Sequence, residues 1–296
     1  MVELEPQQAA AISRLFSSSV VRELARKGKS PLFTRLARQS HLLDALCTSK
    51  RVCDLFEMAF SLLQQEGHRD EYVYKTALIR RILLGRHSLQ TASMLNEFRV
   101  GECKADLAIL NGTATVYEVK SERDSLVRLR KQVLTYATVF AKVYVIASES
   151  HVTAVEAVVP QDVGILMLNR RYQISTLREA VDRAECTSPE AIFNAVRTQE
   201  ARLILALNGI LVPDVPNTAL HAILRERFVL LAPMRAHESM VQVLKKTRNL
   251  LPLATLVSQL PNSLQTAALA LSLRKLDRAR LVSAINTPLR VAASWA

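Results

Sequence analysis

Nowhere does the sequence run 18 apolar residues without a charge, so it offers no segment suited to crossing a bilayer as a helix. The opening MVELEPQQ carries acids where a secretory leader would carry basic residues and an apolar core. Both absences point to a soluble cytoplasmic protein with no membrane partner. Cysteine is scarce as well: Cys47, Cys53, Cys103 and Cys186 show no CxxC spacing. That argues against a zinc site and a disulfide framework, and leaves reduced, mostly buried thiols as the expectation. Aromatic residues are thin in the C-terminal part, which argues against a stacking platform for single-stranded nucleic acid.

What the chain does have is length and positive charge. Its 296 residues can bury a substantial core, and the formal net charge is +12. Residues 225 to 280 alone hold ten basic and three acidic side chains, so much of the excess lies late in the chain. A polyanionic partner, nucleic acid and in particular DNA, is the natural counterpart.

Apolar residues recur at three- and four-residue steps through residues 1 to 68, which predicts helices interrupted at Gly28 to Pro31. His41 and His68 stand alone there and read as surface or helix-end residues. A further helix is expected from Asp70 to about Arg86, ending at Gly85, with Glu71, Lys75, Leu78 and Ile82 on one stripe. Glu71 then needs a partner or a metal, or is a first-turn acid favoured by the helix dipole.

From residue 95 the period changes to that of strands, expected at 95–100, 103–110, 113–120, 143–147 and 163–168. A long helix over 125–140 crosses between the third and fourth. Arg128, Gln132 and Tyr136 run along it at four-residue spacing, beside its apolar face. Within the third strand Glu118 and Lys120 share one face and Val119 takes the other. With Asp106 from the preceding strand they supply what a metal-dependent nuclease needs: oxygen ligands for a divalent ion and a cation beside a phosphodiester.

The Asn111-Gly112 pair tests that arrangement. A two-residue turn would set Leu110 opposite Thr113 and put Asp106 and Glu118 on opposite faces. Either the two do not share a metal, or the connection is odd-numbered with Gly112 left-handed, or the pair carries a bulge. The odd-numbered connection is the expectation adopted. Beyond Leu168 the periodicity predicts helices to the end. The run 264–285, with Arg274, Lys275, Arg278 and Arg280 among leucines and alanines, reads as a basic amphipathic helix. DNA docking, a protein interface and a solvated face are all compatible with it.

The order Glu71 on a helix, Asp106, Glu118-x-Lys120 and Gln132-x-x-x-Tyr136 resembles the PD-(D/E)XK nuclease superfamily, especially its RecB-type members. More narrowly, EYVYKTALIRRILLGRHS, EFRVGECKADLAILNG and VYEVKSERDSLVRLRKQVLTY resemble a family of bacterial proteins assigned to it. The resemblance covers about residues 69 to 150. It implies an α/β (α+β) fold: a restriction-endonuclease-like core with a mixed central sheet, flanked by N- and C-terminal helical regions. The parts would be a helical region 1–68, the core 69–175 and a basic helical region 176–296.

By that resemblance Asp106 and Glu118 would ligate Mg²⁺ or Mn²⁺, with Glu71 completing or orienting the shell and Glu97 as a competing carboxylate. Lys120 would orient the water and offset transition-state charge, and Gln132 and Tyr136 would position substrate or the lysine. Arg128, Arg274, Lys275, Arg278 and Arg280 would contact the nucleic acid. No proline precedes Asp106, the local sequence being Lys104-Ala105-Asp106, which departs from the motif. The implied activity is metal-dependent hydrolysis of DNA. The alternative is a nuclease-fold adaptor that binds nucleic acid without cutting it in a larger defence or repair complex. The helical regions would serve a protein partner or a second copy.

Overall fold

Short helices occupy most of the described residues up to Ile79 because apolar side chains recur there at helical spacing, with local signals at some of their ends. Ser30 accepts from the Phe33 amide at 3.0 Å, and Gly28 closes the Ser18–Lys27 helix in the left-handed conformation, at the break the sequence marks. The computed structural model describes residues 4–46 and 49–296, so Cys47 lies outside the described residues. Two compact units result: Met1–Ile79 with Pro252–Ala296, and Arg80–Leu251.

In the first unit the Lys275–Ile285 helix packs on the Ser18–Lys27 helix, and Thr34 Oγ1 donates to the Ala292 carbonyl at 2.8 Å. Leu289 N–H and Val52 N–H close an isolated bridge to Lys50 and Thr287 at 2.8 and 3.0 Å. The division therefore runs differently from the three consecutive parts read from the sequence. The last 45 residues return to the first helices, a contact between distant segments that linear periodicity does not encode.

The second unit is built on a mixed six-stranded sheet in the order β1 (Ser93–Val100), β2 (Cys103–Asn111), β3 (Thr113–Lys120), β4 (Lys142–Ser148), β5 (Gly164–Leu168) and β6 (Ile174–Arg178). β1 to β3 form an antiparallel meander, β3 to β5 are parallel, and β6 returns antiparallel. With helices before and after it, the chain has a mixed α/β fold of the α+β kind. The first five strands fall where the alternation predicts them. β6 was expected to be helical, but its Ile-Ser-Thr-Leu-Arg run is a half-exposed edge strand with no clean alternation.

The crossing helix is Leu129–Tyr136, shorter than expected. Before it, Ser121 turns on Asp124, whose Oδ2 accepts from the Ser121 amide at 2.8 Å. After it, the chain loosens into turns toward Phe140. Likewise the helix begun at Asp70 is α-helical over Glu71–Leu78 and widens to π geometry over Ile79–Leu83.

Register decides what shares a face. Asn111 pairs with Thr113 around Gly112 at φ +74°, and Leu110 pairs with Ala114. The connection is thus odd-numbered, and Asp106 falls opposite Glu118. Only glycine adopts that φ cheaply. In the β1–β2 ladder the pairing passes from Asn96–Leu107 to Phe98–Ala105 and skips Glu97 and Asp106. Glu97 sits at φ +52°. On either side of that skip the inward positions change parity: Leu95, Ala108 and Leu110 face the core on one side, Phe98, Val100 and Ala105 on the other. The register is the same on both sides of the skip, so one residue of each strand leaves the ladder, and on β2 that residue is the proposed ligand Asp106.

Candidate functional site

Four polar side chains meet on the sheet face covered by the Leu129–Tyr136 helix, and Asp106 stands opposite one of them, Glu118, in register. Glu118 Oε1 accepts from Lys120 Nζ at 2.9 Å and from Gln132 Nε2 at 2.5 Å; its Oε2 accepts from the Tyr136 hydroxyl at 2.9 Å. Lys120 Nζ also donates to Gln132 Oε1 at 3.1 Å. Asp106 Oδ2 accepts from the Val119 amide at 2.8 Å, which ties β2 to β3 beyond their last ladder pair. The strand alternation delivers Glu118 and Lys120 together, and the four-residue step on the helix delivers Gln132 and Tyr136.

The cluster is largely shut away from solvent. Glu118 is 2% exposed, Lys120 7% and Tyr136 0%, while Asp106 and Gln132 are half-buried. A charge this buried needs a partner, and Glu118 and Lys120 supply one another's. Burial first, then the Glu118 charge and hydrogen bond, push the Tyr136 phenol far above its ordinary pKa. Tyr136 is therefore a neutral donor in water at any physiological pH. Its single proton faces two acceptors, Glu118 Oε2 and the Lys104 carbonyl at 3.0 Å.

The remaining sequence candidates lie elsewhere. Glu71 opens its helix, is exposed, and pairs with Lys75 one turn on; it belongs to the first unit, whereas Asp106 and Glu118 belong to the second. Glu97 is spent on Lys104 at 3.1 Å. Among the described residues no group of three or more His, Cys, Asp or Glu converges in a way suited to a metal. Arg128 is exposed at the start of the crossing helix. Cys53 and Cys103 are half-buried and Cys186 is exposed, so these thiols are less buried than expected.

The expected single basic helix over 264–285 is two helices, Asn262–Leu269 and Lys275–Ile285, parted by the turn at Ala270 to Arg274. Most of its cations are engaged within the first unit. Arg274 pairs with Asp277 at 3.1 Å, Arg278 donates to the Leu273 carbonyl at 3.1 Å and the Pro252 carbonyl at 2.5 Å, and Arg280 donates to the Arg26 carbonyl at 3.2 Å. Neutralising Arg274, Lys275, Arg278 and Arg280 together should therefore lower the thermal midpoint, because carbonyls at helix and loop ends lose their donors. If these cations also touch phosphates, the slope of log affinity against log salt will flatten by about one unit per contact. A stable variant with a markedly flatter slope would contradict the structural role.

Residues 64–252 match the family model of bacteriophage P4 protein cII, and the chain belongs to that family. The match takes in the whole Arg80–Leu251 unit and every residue of the cluster. Protein cII of Enterobacteria phage P4 is 36% identical over 98 residues, which cover 32% of this chain and 37% of that protein. The chain thus aligns with little more than a third of that curated relative. No solved structure matches it. Among the described residues no helix is long and apolar enough to cross a membrane.

Proposed function

We propose that the Arg80–Leu251 unit hydrolyses phosphodiester bonds of DNA as a nuclease of PD-(D/E)XK type, working in the cytoplasm. The observation that carries this reading is the hydrogen-bonded cluster of Glu118, Lys120, Gln132 and Tyr136, from one strand and one helix, with Asp106 of the neighbouring strand opposite Glu118 in register and held by the Val119 amide. The donor set fits Mg²⁺ or Mn²⁺: two carboxylates opposite one another in register offer hard oxygen, and Mg²⁺ commonly takes one or two carboxylates and completes its shell with water and phosphate. Asp106 and Glu118 would hold the ion, with the Val119 carbonyl beside them.

Such an ion supplies polarisation of the phosphoryl oxygen and a more acidic water at neutral pH. Lys120 holds a fixed positive charge on the face where negative charge develops, preorganised by Glu118 and Gln132. Gln132 bridges the acid and the amine, and Tyr136 fixes the second oxygen of Glu118. Arg128, exposed at the start of the helix, would take a flanking phosphate.

A second reading has its own observation. Both oxygens of Glu118 already accept protein donors, so the cluster satisfies itself without an ion, as an adaptor that binds nucleic acid without cutting would allow. Incubating the full chain with supercoiled, linear and single-stranded DNA in Mg²⁺, Mn²⁺ or EDTA separates the two. Cleavage with either ion and none in EDTA is expected. Binding without cleavage under every condition would favour the adaptor, and cleavage in EDTA would rule out the metal mechanism.

A further inference from the structure

A second polar cluster, unused by the reading above, stands at the carboxyl end of β4. There the chain passes through the 3₁₀ turn Glu149–His151 into the Val152–Val158 helix. β3 and β4 are parallel and Lys120 pairs with Ala147, so Lys120 and Ser148 leave the sheet at the same end. Val155 joins the core that holds Val133 and Tyr136, which puts this second helix on the sheet face that carries Glu118. Arg130 Nη1 donates to the Val158 carbonyl at 3.3 Å, linking the two helices. In open α/β sheets the carboxyl ends of parallel strands are where ligands enter.

Two hydroxyls converge there on one ring nitrogen. Ser148 Oγ lies 3.1 Å from His151 Nδ1 and 3.0 Å from Ser150 Oγ, which is itself 3.5 Å from Nδ1. Ser148 is buried and His151 half-buried. A hydroxyl donating to Nδ1 fixes the neutral tautomer with its hydrogen on Nε2, and the imidazolium keeps that hydrogen too. In that tautomer Nε2–H is a donor, and Nε2 has no protein hydrogen-bond partner among the described residues. The nearby Glu149 carboxylate is drawn to Arg170 at 3.5 Å, which offsets its charge.

We propose that His151 Nε2–H binds a phosphate oxygen of duplex DNA beside the Asp106–Glu118–Lys120 cluster, with Ser148 and Ser150 as positioning residues. The inference rests on the reading of that cluster as a phosphodiester site. Its test is the affinity of the full chain for a short fluorescently labelled DNA duplex in EDTA, together with cleavage in Mg²⁺, for the natural chain, His151→Ala and His151→Gln. His151→Ala should bind about tenfold more weakly, the worth of one hydrogen bond to a charged group. His151→Gln, whose amide N–H can replace Nε2–H, should stay within a few-fold of the natural chain. Unchanged affinity in His151→Ala, or equal losses in both variants, would overturn the proposal. If the natural chain does not cleave but the Ala-against-Gln difference in binding appears, the phosphate contact stands and the nuclease reading falls. If it cleaves and His151→Ala binds and cleaves as well as the natural chain, the reverse holds.

Discussion

Lys120→Ala should abolish Mg²⁺-dependent cleavage and also lower the thermal midpoint by on the order of 10 °C. The second effect follows from burial. Glu118 is 2% exposed, and the variant leaves its carboxylate with only Gln132 and Tyr136 as donors. Breaking a buried ion pair on one side costs about 3 to 5 kcal/mol, whereas replacing both partners by neutral groups of similar shape is often nearly neutral. The double variant Glu118→Gln with Lys120→Met should therefore regain most of the lost stability and still not cut DNA. Activity and folding then separate: thermal unfolding recovers and cleavage does not. Wild-type cleavage by the double variant would show that neither side chain takes part in the chemistry.

Much of this cluster was legible because it depends on short periods. Glu118 and Lys120 are two residues apart on a strand, and Gln132 and Tyr136 four apart on a helix, so each pair is fixed by local geometry. The placement of Asp106 required one step more, an odd-numbered connection at Gly112, and φ +74° there meets it. Interruptions of a period were harder to see. Nothing in Asn96-Glu97-Phe98 announces a left-handed glutamate, because the break in pairing exists only against its partner strand. Leucines and alanines continue across Ala270 to Arg274, so the run looks like one helix although the chain turns there.

Pairings between distant segments left no local trace either. The return of the last helices to the first is set by contacts such as Thr34 with Ala292, 258 residues apart. Such contacts also changed the meaning of charge. Arg278 and Arg280 look like free cations in sequence, but each guanidinium donates to backbone carbonyls. The Ser148–Ser150–His151 group carries no sequence signature, since Ser-Glu-Ser-His matches no motif. Its one available sign was a polar cluster directly after an apolar strand.

Glu200→Ala should destabilise the Arg80–Leu251 unit by about 3 to 5 kcal/mol, with no ligand or metal involved. Glu200 is 2% exposed on the Thr198–Leu207 helix and accepts four donors: Arg248 Nε at 2.8 Å, Arg248 Nη2 at 2.7 Å, Thr247 Oγ1 at 3.0 Å and the Arg197 amide at 2.8 Å. Arg248 in turn stacks over Phe98 at 5.2 Å, and its carbonyl accepts from Ser93 Oγ at 2.6 Å, so the pair ties two helices to β1. Burial alone would raise the Glu200 pKa, but the bonds to Arg248, to the Arg197 amide and to Thr247 outweigh it and the net shift is downward. A carboxyl depressed on folding stabilises above its ordinary value of 4.5, and that contribution is lost as pH falls through the depressed folded value.

His237 supplies an earlier acid-sensitive step. It is 2% exposed with Nε2 unpartnered, and burial lowers its pKa despite the opposing charges of Asp182 and Glu238. The neutral ring is the one the fold accommodates, so its contribution is complete above about pH 6.5 and is lost on acidification. Denaturant titrations across pH should therefore show stability declining in two stages, the first beginning near pH 6.5 and the second below 4.5. His237→Gln should flatten the first stage alone and Glu200→Gln the second. A first stage that survives His237→Gln would assign the acid sensitivity to another group, and a stable Glu200→Ala would mean that Arg248 finds solvent or a new partner at no cost.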